Sequence, residues 1–337
     1  MNDAMNSMGR IAVIGSGSWA TALAKLLLGN CDRIGWFVHR RDRIDEFIRF
    51  GHNPVYLSDV AFDTMRIDFT DDINEACSNA DTLVLVVPSP YFKETVDNIN
   101  VDISGKNIVS AVKGIVPDSN MIISDYMRER FGCPEENMLV IGGPCHAEEV
   151  ALERLSYLTI GCRDVKKAED FAALIDGKKM KTIVSADVNG IEYAAVLKNV
   201  YAIAAGILHG MKAGDNFLAM MVCNAVREME RFVDAVSPVP DRRICRSAYL
   251  GDLLVTAYSR FSRNHNFGSM IGKGYSVKAA MMEMEMVAEG YFGTKCIHQI
   301  NADGPKAEMP ILDCVYDILY DNVRPRRAIA AIADSFT

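Results

Sequence analysis

Lys198 lies within the stretch EYAAVLKNVYAIAAG, residues 192–206, whose other residues are nearly all apolar. A helix that is apolar almost all round is a buried helix, and lysine is rarely fully buried unless it is paired. On such a helix its neighbours at three and four residues are Ala194, Ala195, Tyr201 and Ala202, three of them small enough to leave room for a ligand. An ammonium desolvated beside a second cation loses basicity and moves toward the range useful for proton transfer. The competing reading is a lysine whose stem is buried and whose head reaches water. Candidate partners are Asp252 in AYLGDLLVTA, placed to cap a helix or to pair with Lys198, and Lys113 in SAVKG, at the end of an apolar run beside Gly114. SRFSRNHNFG adds Ser262, Arg263 and Asn264. Arginine, serine and backbone N–H groups at a helix start suit a phosphate, though the same residues also make an ordinary polar turn.

A second constellation stands near the N-terminus. In RIAVIGSGSWATALAKLLLGN, Gly15-x-Gly17-x-x-Ala20 follows a strand-like run and opens a helical one. The first glycine permits the tight turn, the second lets backbone approach a pyrophosphate, and the small third residue lets helix and strand pack closely. The next strand ends in His39-Arg40-Arg41, followed by Asp42. An arginine there accepts a 2′-phosphate and an acidic residue binds a free ribose, so NAD and NADP both stay open. Further on, IGGPCHAEE places Gly142, Gly143 and Pro144 before a helix with Glu148 and Glu149 in its first turn.

The elements that must hold these residues follow from periodicity. DTLVLVVPSP, NIVSAVKG, NMLVIGGP, SYLTIGC and KTIVSA read as short strands between helical segments, which predicts a Rossmann-like, doubly wound α/β sheet. Thr70 reads as the N-cap of the helix in TDDINEAC, and residues 1–8 as a loose extension. From about residue 191 strand-like runs disappear and helical ones dominate. The expected organisation is a dinucleotide-binding domain over 1–188 and an all-α substrate-binding domain over 189–337. Met281, Met282, Met284 and Met286 read as helix-core packing, and the methionine-rich half suggests a homodimer.

Composition narrows the partners. The 337 residues carry a net charge of −8, which argues against nucleic acid. Nine scattered cysteines with no CxxC pair argue against a disulfide framework or a metal site and for a reducing, cytoplasmic setting. The apolar runs read as too short for membrane insertion.

Taken in order, GSGSWATALA, VVPSPYF, AVKG, GGPCHAEE, AAVLKNVYAIAAGI, GDN, LGDLLVTA, SRNHNFG, VAEGY and MPI resemble the NAD(P)-dependent glycerol-3-phosphate dehydrogenases of bacterial type. The resemblance implies reversible hydride transfer between NAD(P)H and dihydroxyacetone phosphate, giving sn-glycerol 3-phosphate for glycerophospholipid synthesis. It implies Lys198 as proton donor and acceptor, with Lys113 and Asp252 completing the catalytic set. It implies cofactor contacts from Gly15, Gly17, Ser18, Trp19, Arg40, Lys113, Ala147, Arg263, Val287 and Glu289. Substrate contacts would come from Lys113, Gly143, Cys145, Lys198, Asp252, Ser262, Arg263 and Asn264, with no metal. Cys145 stands where a Ser or Thr is expected, and Cys223-Asn224-Ala225 where Thr-Arg-Gly is common. The alternatives are an NAD(P)-dependent dehydrogenase of another β-hydroxyacid and a non-catalytic NAD(P)H sensor.

Overall fold

The computed structural model describes residues 4, 7–259, 261–284, 286 and 288–336. It divides into two compact units, Met1–Val112 with Ile123–Val188, and Lys113–Ile122 with Asn189–Thr337. The segment 113–122, which the sequence reading left in the first domain, groups with the helical unit.

The first unit alternates strands and helices: β1 (Ile11–Ile14), α1 (Ser18–Asn30), β2 (Ile34–Phe37), α2 (Arg41–Phe50), β3 (Ile67–Thr70), α3 (Ile73–Ser78), β4 (Thr82–Leu85), α4 (Ser89–Asp97), β5 (Asn107–Ser110), α5 (Ile123–Phe131), β6 (Met138–Gly142), α6 (Ala147–Ala151), β7 (Ser156–Cys162), α7 (Val165–Ile175) and β8 (Met180–Ser185). The sheet order is β3-β2-β1-β4-β5-β6-β7-β8, and β6–β7 is its antiparallel pair. Every residue of β1 and β4 is buried, as expected for strands covered on both faces. Ile14 at the end of β1 is level with Phe37 of β2 and Leu85 of β4. The strand order reverses between β1 and β4, so the glycine turn leaves the sheet at its switch point, where such sheets bind ligands. Trp36 of β2 is fully buried against Phe47, Phe62 and Phe69, with ring centroids 5.2, 5.7 and 5.8 Å away.

Two local expectations change. Asp72, not Thr70, caps α3, accepting from the amides of Asn74 and Glu75, while Thr70 ends β3. A carboxylate reaches the first-turn amides as readily as a hydroxyl, and the strand claims Thr70 first. Met8 is no loose residue: it is fully buried, and its carbonyl accepts from Thr82 Oγ1 at 2.5 Å.

The second unit contains α8 (Val188–Gly210), α9 (Asp215–Val236), a single π-helical turn (Ser247–Gly251), α10 (Asp252–Tyr258), α11 (Arg263–Gly272), α12 (Val277–Glu283), α13 (Glu289–Asp303), α14 (Pro310–Leu319) and α15 (Pro325–Ala333). Helix α8 is long and apolar enough to cross a membrane, yet 94% of its most apolar window is buried inside the protein. Glycines bring α8 and α11 into backbone contact. A Cβ added at Gly206 would stand 2.0 Å from the His265 carbonyl oxygen, and one at Gly268 would stand 2.1 Å from that of Ile203. Gly210 and Gly272 repeat the pattern one turn on, and Gly290 of α13 would meet the Asn199 carbonyl at 2.7 Å. The N-terminal turns of α11 and α13 are thereby seated against α8. Helix α14 is tied to α9 by Glu228, fully buried, which accepts from the amides of Ile311 and Leu312 at 2.8 and 2.9 Å. Burial pushes the Glu228 carboxyl up to about 8, against the lowering effect of those two amides.

The methionine expectation fails. Met281 and Met282 are 37% and 79% exposed, and Ala280 is the buried residue of α12. Helical spacing of apolar residues gives a core only where a second surface covers that face.

Gly206→Ala tests the backbone contact. Alanine in a helix interior normally stabilises by about 0.5–1 kcal/mol relative to glycine. Here the extra methyl must push α11 away, at a cost of about 1–3 kcal/mol. The thermal unfolding midpoint should therefore fall, and an unchanged or higher midpoint would contradict the close approach.

Candidate active site

In the helical unit, Lys198 is 4% exposed and Asp252 1%. Their Nζ and Oδ1 are 2.5 Å apart. Lys113 Nζ approaches the other carboxylate oxygen, Oδ2, at 3.5 Å, with its own side chain 18% exposed. One carboxylate thus bridges two ammonium groups. Thr256 Oγ1 accepts from Lys198 Nζ at 3.1 Å and donates to the Asp252 carbonyl at 2.5 Å. Asn199 Nδ2 donates to the Lys113 carbonyl at 2.7 Å, fixing the backbone that carries that lysine. Each interaction follows from local structure. Lys198 and Asn199 are successive residues of α8, Thr256 is one turn beyond Asp252 on α10, and Asp252 follows directly from the π-helical turn. Such turns occur often at functional sites, where they re-aim a side chain.

The electrostatics follow from burial and from the second cation. Desolvation lowers the Lys198 ammonium from an ordinary 10.5 to about 8, with the Lys113 charge adding to the fall and Asp252 opposing it. Burial alone would raise the Asp252 carboxyl, but the ammonium groups of Lys113 and Lys198 hold it below the usual carboxylate range. The cluster therefore holds a carboxylate and an amine that titrates near neutrality, a combination suited to general acid–base chemistry.

Beside it, Ser262 caps α11, its Oγ accepting from the His265 amide at 3.2 Å. Asn264 Oδ1 accepts from the Gly290 amide at 2.9 Å, linking the starts of α11 and α13. Arg263 is half-buried, with Nη1 3.7 Å from Met286 Sδ. Glu289 is the first residue of α13. Val287 lies outside the described residues. Lys113, Lys198 and Asp252 thus stand in direct contact, and Ser262, Arg263, Asn264 and Glu289 lie on helix starts of the same unit.

The remaining candidates lie in the first unit. Gly15 has φ +126°, and a Cβ there would stand 2.8 Å from the Val86 carbonyl oxygen. Gly17 caps α1, and a Cβ added to it would meet nothing within 4 Å. One glycine is required by the turn, and the other leaves open space over the first turn of a helix, which fits a dinucleotide pyrophosphate. Ser18 and Trp19 open α1. Gly143 also has a positive φ, +109°, after β6, and Cys145 is buried with its thiol donating to the Tyr157 carbonyl at 3.4 Å. Ala147 begins α6. Arg40 pairs with Asp42 through Nε–Oδ1 at 3.0 Å and a second, parallel contact. That bond raises the Arg40 pKa and lowers that of Asp42. Among the described residues no group of three or more His, Cys, Asp or Glu side chains is placed to hold a metal ion.

Sequence reading missed Thr256 and Asn199. Thr256 carried a signal, since its spacing of four from Asp252 puts both on one helix face. Asn199 had only its adjacency to Lys198.

Removing the shared carboxylate tests the cluster. Asp252→Asn leaves two ammonium groups without their counter-charge, a loss of about 3–5 kcal/mol for a broken buried pair. The folded Lys198 sheds its proton at about 8, below the 10.5 of the unfolded chain, so stability rises with pH between those values. Without the carboxylate that opposes that fall, Lys198 of the variant loses its proton at a lower pH still, so the deficit should shrink as pH rises to about 8 and stay constant above it in thermal unfolding. A deficit independent of pH would contradict it.

Residues 10–168 match the family described as NAD-dependent glycerol-3-phosphate dehydrogenase N-terminus, and residues 187–330 match its C-terminus. A relative from Lysinibacillus sphaericus named glycerol-3-phosphate dehydrogenase (NAD(P)+) is 33% identical over 328 residues, covering 96% of both chains. One of the same name from Chlorobium limicola is 34% identical, over 95% of this chain and 96% of the other. A crystal structure of glycerol-3-phosphate dehydrogenase from Coxiella burnetii superposes with a TM-score of 0.87 at 27% identity, covering 96% of this chain and 98% of that one.

Proposed function

This chain belongs to the NAD-dependent glycerol-3-phosphate dehydrogenase family, and we infer that Lys198 is the proton donor and acceptor of its reaction. The enzyme interconverts dihydroxyacetone phosphate and sn-glycerol 3-phosphate, using NAD(P)H or NAD(P)+. The observation that carries the role of Lys198 is its buried contact with Asp252, set beside Lys113.

A bound nicotinamide dinucleotide supplies the hydride taken up at carbon 2. As that carbonyl is reduced, negative charge develops on its oxygen. An ammonium has three N–H groups, and Lys198 gives two of them to Asp252 and Thr256, leaving the third for the substrate oxygen. Lys198 donates its proton there in reduction and, as the neutral amine, accepts one in oxidation. Asp252 holds both lysines in register, and Lys113 polarises the same oxygen. Ser262, Arg263 and Asn264 bind the substrate phosphate through a guanidinium, polar side chains and the start of α11. Gly143 and Cys145 are read as further substrate contacts, with a thiol replacing a hydroxyl at Cys145. Gly15, Gly17, Ser18, Trp19, Ala147 and Glu289 are read as the residues that would hold the dinucleotide, and Arg40 as the one that would meet a 2′-phosphate. The chain is further read as cytoplasmic, a reading supported by its nine scattered cysteines with no CxxC pair, and as a homodimer, supported by exposed Tyr258, Phe261, Met281 and Met282 on the helical unit.

Two experiments test these roles. Lys198→Ala should lower kcat by about 10²–10⁴-fold while NADH titration gives a near-normal Kd. In the wild-type enzyme, kcat/KM for dihydroxyacetone phosphate should fall as pH rises through about 8, and that for glycerol 3-phosphate should rise over the same range. Near-wild-type turnover of the variant, or parallel pH profiles in the two directions, would remove Lys198 from proton transfer. For the ribose, the Arg40–Asp42 pair is exposed, so a 2′-phosphate can displace the carboxylate. Arg40→Ala should raise KM for NADPH about tenfold or more, the scale of one charge-assisted contact, and leave KM for NADH within about twofold. Equal shifts for both cofactors would contradict the assignment.

A further inference from the structure

We propose that Asn53, on the loop after α2, is a positioning residue for the dinucleotide: it turns the carbonyls of the glycine turn away from the bound pyrophosphate. This rests on the reading that Gly15–Ser18 receives that group.

Three successive carbonyls of the turn are each held by a donor from the protein. Trp36 Nε1 donates to the Gly15 oxygen at 2.7 Å. Asn53 Nδ2 donates to the Ser16 oxygen at 3.1 Å and to Thr21 Oγ1 at 2.8 Å. Thr21 Oγ1 donates onward to the Gly17 oxygen at 3.0 Å, which the Thr21 amide also reaches at 3.0 Å. Asn53 is 4% exposed and Thr21 is fully buried. A carbonyl oxygen repels a phosphate, and an amide hydrogen attracts it. Because each peptide plane carries both on opposite sides, fixing the oxygens fixes the direction in which the following N–H groups point. Gly17 imposes no such direction itself, since a glycine has wide backbone freedom and open space surrounds it. The clamp supplies what the glycines give up.

Asn53 is itself preorganised. Its Oδ1 accepts from the amides of Val55 and Tyr56 at 3.0 and 3.1 Å, closing a turn across Pro54. All four hydrogen-bonding positions of the amide group are thus committed, two donated and two accepted, so the head group has one orientation. An Asn-Pro pair signals a turn. What it could not signal is that this turn reaches back 37 residues to the glycine loop.

The test is binding, measured by NADH fluorescence titration, with amide hydrogen exchange of the ligand-free protein as a second readout. Wild-type binding of NADH, competed by NADPH or ADP-ribose, checks the underlying reading alone. If the clamp exists, Asn53→Ala raises Kd for NADH about tenfold, the equivalent of one lost buried hydrogen bond. It raises KM for the cofactor in parallel, leaves KM for dihydroxyacetone phosphate within twofold, and speeds exchange at residues 15–18. Thr21→Val, which keeps the shape and removes the hydroxyl, should do the same, and Thr21→Ser should restore binding. The double variant Asn53→Ala/Thr21→Val should lose less than the product of the two single effects, because the bonds form one chain. Should Asn53→Ala not fold, the Thr21→Val and Thr21→Ser pair decides. Wild-type NADH affinity in Asn53→Ala or Thr21→Val, no rescue by serine, or fully multiplicative losses would each overturn the proposal while leaving dinucleotide binding intact.

Discussion

A charged amine inside an apolar helix is unstable unless something answers its charge, and the Lys198–Asp252 contact is that answer. Each partner would be costly alone at 4% and 1% exposure. Together they make a pair whose second carboxylate oxygen is shared with Lys113. Burial weakens the hold of Lys198 on its proton, with the Lys113 charge adding to that effect, while the two ammonium groups keep the carboxylate ionised. On the inferred role of Lys198, the feature that looks like a folding defect in the sequence is what sets the reactivity.

Geometry around the pair is imposed by backbone rather than by large side chains. Glycines on α8, α11 and α13 allow approaches that any Cβ would block, and alanines line α8 on either side of Lys198. The resulting unit places the starts of two helices, with Ser262, Asn264 and Gly290, against the helix that carries the amine. Asn264 and Asn199 then lock neighbouring backbone groups to each other. Polar side chains act here mainly on backbone, and this is how a buried polar network stays satisfied. The first unit shows the same economy: its glycine turn is shaped by the φ of Gly15 and by donors behind it.

Much of this was legible in the sequence because it rests on local rules. The doubly wound sheet followed from short apolar strands alternating with helices, and the glycine turn from the spacing of Gly17 after Gly15, a position that only glycine occupies without strain. Lys198 stood out because its charge contradicted its surroundings. Other features depend on contacts between distant segments and carried no local mark. The segment 113–122 has no compositional break to show that it joins the helical unit. Thr256 is one of many threonines until Asp252 is known to be paired, and the π-helical turn before Asp252 has no sequence signature. Asp72 rather than Thr70 caps α3 because strand pairing, a non-local choice, consumes the threonine. Met281 and Met282 have the spacing of a packed face, but spacing does not say whether another element covers it.

The most direct measurement is the titration of Lys198 itself, by NMR of protein labelled with 15N at the lysine side chains, the signal being assigned by its absence in Lys198→Arg. The expected midpoint is about 8, well below that of ordinary lysines. A midpoint at or above about 10, the value of an amine in water, would mean that pairing with Asp252 outweighs burial and the second charge, and that the role of Lys198 in proton transfer is wrong.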